Sequence, residues 1–264
     1  MLDVTRSELV RLRRRSVLLG WFGLTALAAV MITAFLFTAA ARDGGAPQDA
    51  PGVSFPSAAD LAAPDGYVAG VGGAATLLGV VSLSYWAIAT ASDSSTGLVR
   101  LLVQAQPDRL RLLGGKLLAL TSFTAVAAAV AVAAVAVASP AVARGTGSPT
   151  GAWELSAGTL AGSWSAAFLA LTVWGVIGLV IATLTRSAAA AIASGVAYVL
   201  VVEGVIGLVA ADVADRLPGA TLTAVVDGGS AAISQGTAVA LALGYAAVGV
   251  LVAGARSARR EITD

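Results

Sequence analysis

Two charged residues stand where charge is costly or chemically suggestive. Glu203 lies inside an otherwise apolar run, and Lys116 follows two glycines in "GGKL". An acid within a membrane helix costs about 3 kcal/mol on insertion scales and marks a functional candidate by default. Glu203 has three uses open to it: to line a path through the membrane, to pair with Arg144 or Arg216, or to be protonated and hydrogen-bonded to Ser, Thr or Tyr. Lys116 invites comparison with a phosphate-binding loop, Gly-x-x-x-x-Gly-Lys-Ser/Thr, whose backbone amides cradle phosphate. The match fails: Leu110 stands where the first Gly belongs, and Leu117 where Ser or Thr belongs. Lys116 therefore reads as an interface anchor, its stem on apolar surface and its ammonium in water. The chain has no His and no Cys, which removes the commonest general base and the thiolate ligands. It also lacks a Gly-x-Ser-x-Gly elbow and paired intramembrane aspartates. Neither an enzyme nor a resident metal or cofactor is expected.

These residues sit in an unusually apolar chain. Of 264 residues, 58% are hydrophobic and 12% charged; a soluble domain carries about a quarter charged residues. Abundant Ala, Gly and Val, one Lys and no Asn suggest a GC-rich bacterial genome. A spanning helix needs about 20 mostly apolar residues. Six stretches qualify: 17–41, 67–91, 117–143, 155–184, 188–211 (holding Glu203) and 237–255. Backbone polar groups cannot stay unpaired in lipid, so each is expected to be helical. The first resembles a secretory signal in its basic front, but its apolar run is about twice the length of a signal core. The expectation is an all-α polytopic membrane protein of 264 residues in a single transmembrane domain. Trp21, Tyr85, Trp86, Trp153 and Trp164 fall near span ends, as interface anchors do. The pairs Gly66/Gly70, Gly175/Gly178 and Gly204/Gly207 suit close helix packing.

Orientation follows from the basic residues. With six spans, one side holds Arg6, Arg11, Arg13, Arg14, Arg15, Arg100, Arg109, Arg111, Lys116, Arg186, Arg256, Arg259 and Arg260; the other holds Arg42, Arg144 and Arg216. Positive residues favour the cytoplasm, so both termini are expected there. Outside, residues 42–66 are rich in Pro, Gly and Asp and predict an irregular, mobile loop. In the third outer loop Pro218 can open a short helix, interfacial or re-entrant, with an ordinary loop as the alternative. Inside, "TRS" at 185–187 predicts a tight turn. Before the first span, Thr5 with Glu8 matches a capping box. Leu2, Leu9 and Leu12 share a face among arginines, which predicts an amphipathic elbow helix lying in the lipid headgroups.

The longest inner segment, "SDSSTGLVRLLVQAQPDRLRLLGGK", spans 92–116. Ser92, Asp93, Ser94 and Ser95 offer N-caps. Leu98, Leu101, Leu102 and Ala105 recur at helical spacing, and Pro107 stops the run. This predicts a short cytoplasmic helix, about 93–105, with one apolar face. Such a helix can lie on lipid, on the bundle, or in a partner's groove.

Asp93, Gly97, Arg100, Leu101, Leu102, Pro107, Arg109, Gly115 and Lys116 occur in an order that resembles the loop between spans two and three of type-2 ATP-binding-cassette (ABC) exporter permeases. Asp93 and Leu98 replace the family's usual Glu and Thr. Six spans, inner termini and an elbow helix are also similar to that family. The resemblance implies a permease subunit of the bacterial cytoplasmic membrane, paired as a homodimer or heterodimer. It also implies that the 93–105 segment is a coupling helix seated on a separate ATPase subunit. Asp93, Gly97, Leu98, Arg100, Leu101, Leu102, Pro107 and Arg109 would be the contact residues, and Glu203 a candidate for the transport path. Membrane lipid is an expected partner and nucleic acid is not. The rival classes are a stand-alone secondary carrier or channel, and a non-transporting immunity or regulatory membrane protein. Topology is directly testable. A fluorescent protein fused after Asp264 should fluoresce in the cytoplasm, whereas alkaline phosphatase at the same point should stay inactive; the reverse pattern excludes inner termini.

Overall fold

A computed structural model describes residues 2–13, 15–42, 55–95 and 109–258. The architecture is an all-α polytopic membrane protein, with no strands among the described residues beyond one bridge, Gly229 to Ser234. Its helices are α1 (Leu2–Leu12), α2 (Arg15–Ala40), α3 (Ala58–Ala62), α4 (Gly70–Ser95), α5 (Arg109–Thr146) and α6 (Ala157–Thr185). They continue with α7 (Ala188–Ala197), a π-helical segment (Tyr198–Val202), α8 (Glu203–Val209), α9 (Ala211–Ala214), α10 (Pro218–Val226) and α11 (Gln235–Ala258). Five of these, α2, α4, α5, α6 and α11, are long and apolar enough to cross a membrane. The stretch 188–211, expected as one span, is instead built in consecutive pieces, α7, the π segment and α8, ending at Val209.

The centre is the contact between α4 and α6. Gly79 lies against Trp174, Leu83 against Gly178, and Ala87 and Ala91 pack with Ala182. Both sequences climb together, so the two helices run parallel. The glycines do what their small size allows. A Cβ on Gly175 would strike the Trp86 ring, one on Gly79 the Trp174 ring, and one on Gly178 the Leu83 carbonyl. Each helix thus seats the other's tryptophan in a glycine notch. In lipid, helix association draws on close packing and interhelical hydrogen bonds rather than on water exclusion. The bonds are present: Ser82 Oγ donates to the Leu171 carbonyl at 2.7 Å, and Trp86 Nε1 donates to Thr124 Oγ1 on α5 at 3.0 Å. Trp86 and Trp21 are therefore core residues, not interface anchors. Trp21 stacks on Tyr85 with ring centroids 3.9 Å apart. Tyr85 in turn donates its hydroxyl to the Val17 carbonyl, 3.2 Å. Trp164 remains partly exposed.

Several local expectations need correction. Helix α1 is already formed at Leu2, so Thr5 lies inside it and does not cap it; Glu8 is buried. The leucine face of α1 meets protein: Leu12 and Leu9 join the inner core with Trp21, Leu120 and Phe123. Helix α4 continues through Ser95, and Ser92 donates back to the Ile88 carbonyl at 2.6 Å, so Ser92 lies within the last turns of α4. Within the stretch 42–66, expected to be irregular, Ala58–Ala62 form α3. Ser57 and Asp60 form a reciprocal capping box on α3, and Trp153 Nε1 donates to the Leu61 carbonyl, 2.9 Å. The Pro- and Gly-rich composition concealed that box. The turn at 185–187 is tight: Arg186 adopts the left-handed conformation (φ 58°) and Ser187 caps α7.

The glycine notches generate a test. Gly175→Ala should destabilise the detergent-solubilised protein by about 1–3 kcal/mol through overpacking. Gly204→Ala should not, because a Cβ at Gly204 meets nothing within 4 Å. Thermal unfolding of the two variants beside the parent chain separates them.

Candidate functional site

Glu203 opens α8 and is buried, with 4% of its surface exposed. Its position is set by the π segment. Five residues along an α-helix turn by about 140°, which would point Tyr198 and Glu203 apart. Here the Glu203 amide bonds the Tyr198 carbonyl, an i to i+5 closure. The wider turn brings the two residues toward one side of the helix, where the Tyr198 phenol and the Glu203 carboxylate act on each other electrostatically. Such π turns are rare and concentrate at functional positions.

The carboxylate faces the start of α10. A helix N-terminus leaves backbone N–H groups without internal partners. Helix α10 presents few. Pro218, its first residue, has no N–H, and the Thr221 amide bonds the Leu217 carbonyl at 2.9 Å. Gly219 and Ala220 remain, and Leu217 supplies no side-chain cap. Glu203 answers the first: Gly219 N–H donates to Oε1 at 2.8 Å. The negative group also suits the positive end of the helix dipole. A Cβ at Gly219 would overlap the carboxylate and displace it. At its other end α10 closes with the Gly229 amide on the Ala224 carbonyl, 2.7 Å, across Gly228 at φ 80°, a left-handed turn that favours glycine. In between, Leu222, Ala224 and Val225 are buried beside Leu83, Val173 and Trp174.

The structure gives Glu203 a use beyond those three: its carboxylate accepts from the N-terminus of a helix, at Gly219. It pairs with neither Arg144, whose Nε donates to the Pro140 carbonyl, nor Arg216, whose carbonyl accepts from the Tyr245 hydroxyl. Sequence reasoning singled out Glu203 and the helix start at Pro218 but missed their connection. The available signal was a Pro-Gly helix start with leucine at the cap position. Among the described residues no group of acids comes together to hold a metal ion.

At the inner end, Lys116 is buried (8% exposed) and its Nζ donates to the Ala89 carbonyl on α4, 2.7 Å. A charge-assisted bond of this length is a strong tie, and it clamps α5 to the end of α4. Asp93 lies in the last turns of α4 and Arg109 begins α5. Gly97, Leu98, Arg100, Leu101, Leu102 and Pro107 lie outside the described residues, as does most of the expected 93–105 helix. Gly114 and Gly115 are inside α5, which at 38 residues is about 57 Å long at 1.5 Å per residue. That length exceeds the hydrocarbon core of about 30 Å.

No protein-family model matches the sequence, and no curated protein matches it at a significant level of similarity.

The cap predicts a coupled pair of effects. Glu203→Ala strands the buried Gly219 amide and should cost roughly 1–3 kcal/mol, while Glu203→Gln, which keeps an acceptor, should cost less. Gly219→Ala should destabilise the parent but do less harm in the Glu203→Ala background, where the colliding carboxylate is gone. Additive losses in thermal unfolding would contradict the contact.

Proposed function

We propose that the chain is the membrane-spanning permease subunit of a bacterial ABC exporter. It crosses the cytoplasmic membrane six times, the run 188–209 providing the fifth crossing, with both termini in the cytoplasm. Two copies, or one copy and a related permease, associate with two ATPase subunits that bind and hydrolyse the ATP. The chain itself supplies no phosphate-binding loop and no catalytic group to that reaction.

The observation that carries this reading is the inner segment between α4 and α5. Its residues follow the coupling-loop order through Gly97, Arg100, Leu101, Leu102, Pro107 and Arg109 to Gly115 and Lys116, with Asp93 and Leu98 standing where the family usually has Glu and Thr. Lys116 then ties the two flanking helices together through Ala89. A loop whose two ends are clamped moves its helices as a pair. Force from an ATPase on residues 93–105 would therefore reach α4, and through the tryptophan notches α6, without being absorbed between α4 and α5. The α1 helix packed on the inner core supports the same reading as an elbow helix. The rival of an ion-coupled carrier needs an ion site near the midplane of broken helices, and the Glu203 carboxylate is already engaged by the Gly219 amide.

The test is association. The chain should co-purify with an ATPase encoded beside it and stimulate its ATP turnover in lipid vesicles. Replacing Leu98, Leu101 and Leu102 together by Asp should abolish co-purification while leaving membrane insertion intact. Full retention of the ATPase by that variant would sink the proposal.

A further inference from the structure

The outer part of the 188–209 run is attached differently from the rest of the bundle. In α7, Ala191 and Gly195 are buried, and Gly195 abuts Leu83 so closely that a Cβ would collide. In α8 the buried residue is the charged one, Glu203. The apolar side chains of α8 point outward: Val205, Leu208 and Val209 are 55%, 86% and 82% exposed. Gly204 has open space around it. The change from firm to loose packing falls on the π segment, Tyr198–Val202. At its far end α8 stops at Ala210, which is non-helical (φ −148°, ψ 76°). Beyond that, the chain is pinned again, by the Tyr245 hydroxyl on the Arg216 carbonyl and by the buried α10.

We propose that α8 is a hinged arm, with the π segment and Ala210 as its two joints and the Glu203 carboxylate as its latch. In the latched state the Glu203 carboxylate, beside Tyr198, accepts the Gly219 amide and so ties α8 to α10. When the latch opens, α8 swings away as a unit while α7 and α10 stay in the core. The energetics favour a single point of control. Apolar side chains of α8 already face lipid and only exchange lipid for lipid when the arm moves. What resists the motion is the carboxylate's hydrogen bond from Gly219. The hinge has a natural alternative state, because a π turn holds one residue more than an α turn. Resolving that extra residue rotates α8 by about 100° and carries Glu203 off its partners.

The chain contains no cysteine, so introduced cysteines can be spin-labelled without background. One pair, Leu208→Cys with Leu155→Cys, reports the arm against the body. A second, Val137→Cys with Leu155→Cys, lies wholly on the body. Distances are measured by double electron–electron resonance in lipid nanodiscs without any ATPase. In the otherwise unchanged chain both pairs should give one narrow distance. Glu203→Ala, and independently deletion of Val201, should turn the 208/155 distance broad or bimodal while the 137/155 pair stays narrow. A 208/155 distance that remains narrow and unshifted in both variants overturns the latch. Broadening of both pairs also overturns it, since the whole bundle would then have loosened.

Discussion

The reciprocal seating of Trp86 over Gly175 and Trp174 over Gly79 is the constraint on which the bundle rests. Two large rings are inserted between two backbones that also approach closely enough for Gly178 to touch the Leu83 carbonyl. Such an arrangement tolerates little sliding, because moving either helix by a turn would drive a ring into a neighbouring side chain. The other long helices are organised around it. Trp86 reaches α5 through Thr124, and Trp174 shares its cluster with α10 and α11. The remaining core side chains are mostly Ala, Val and Leu, which pack equally well in several registers. The aromatic–glycine pairs supply the register.

The two ends of the bundle are closed by different chemistry. At one end of the bundle an ammonium meets a backbone carbonyl, Lys116 to Ala89, and α1 folds back on the core. At the other a carboxylate meets a backbone amide, Glu203 to Gly219. In both cases the partner of the charge is main chain. A buried ion pair pays desolvation twice. Pairing one ion with oriented peptide dipoles pays it once and fixes direction as well.

Much of the fold was legible because its cause is local. Apolar length disclosed the long helices, Thr-Arg-Ser disclosed a turn, and Pro218 disclosed the start of a short outer helix. What stayed hidden depends on partners distant in sequence. Trp21 and Trp86 look like interface anchors from their places along apolar runs; their burial follows from Tyr85, Gly175 and Thr124 on other segments. The Thr5 and Ser92 capping signals were real patterns in the wrong context, since neighbouring residues already extended a helix across them. Glu203 was conspicuous as an acid in an apolar run, but its role needed two facts that periodicity does not contain. One is the π turn that aligns it with Tyr198, and the other is the return of the chain sixteen residues later. The ATPase-contact residues came from the family resemblance, and all but Asp93 and Arg109 fall outside the described part of the chain.

That sixteen-residue separation also orders the chain in time. Synthesis delivers Glu203 before Gly219 exists, so for that interval the carboxylate has no amide to receive it. A bare carboxylate resists entry into hydrocarbon. The segment around it would therefore wait at the outer boundary, or inside the insertion machinery, until Pro218 and the residues behind it emerge. Helix α10 would then serve assembly as well as structure, since its Gly219 amide is what receives the carboxylate. Assembly of this protein would finish from the far end of its fifth helical run, with the last helices of the chain setting the pace.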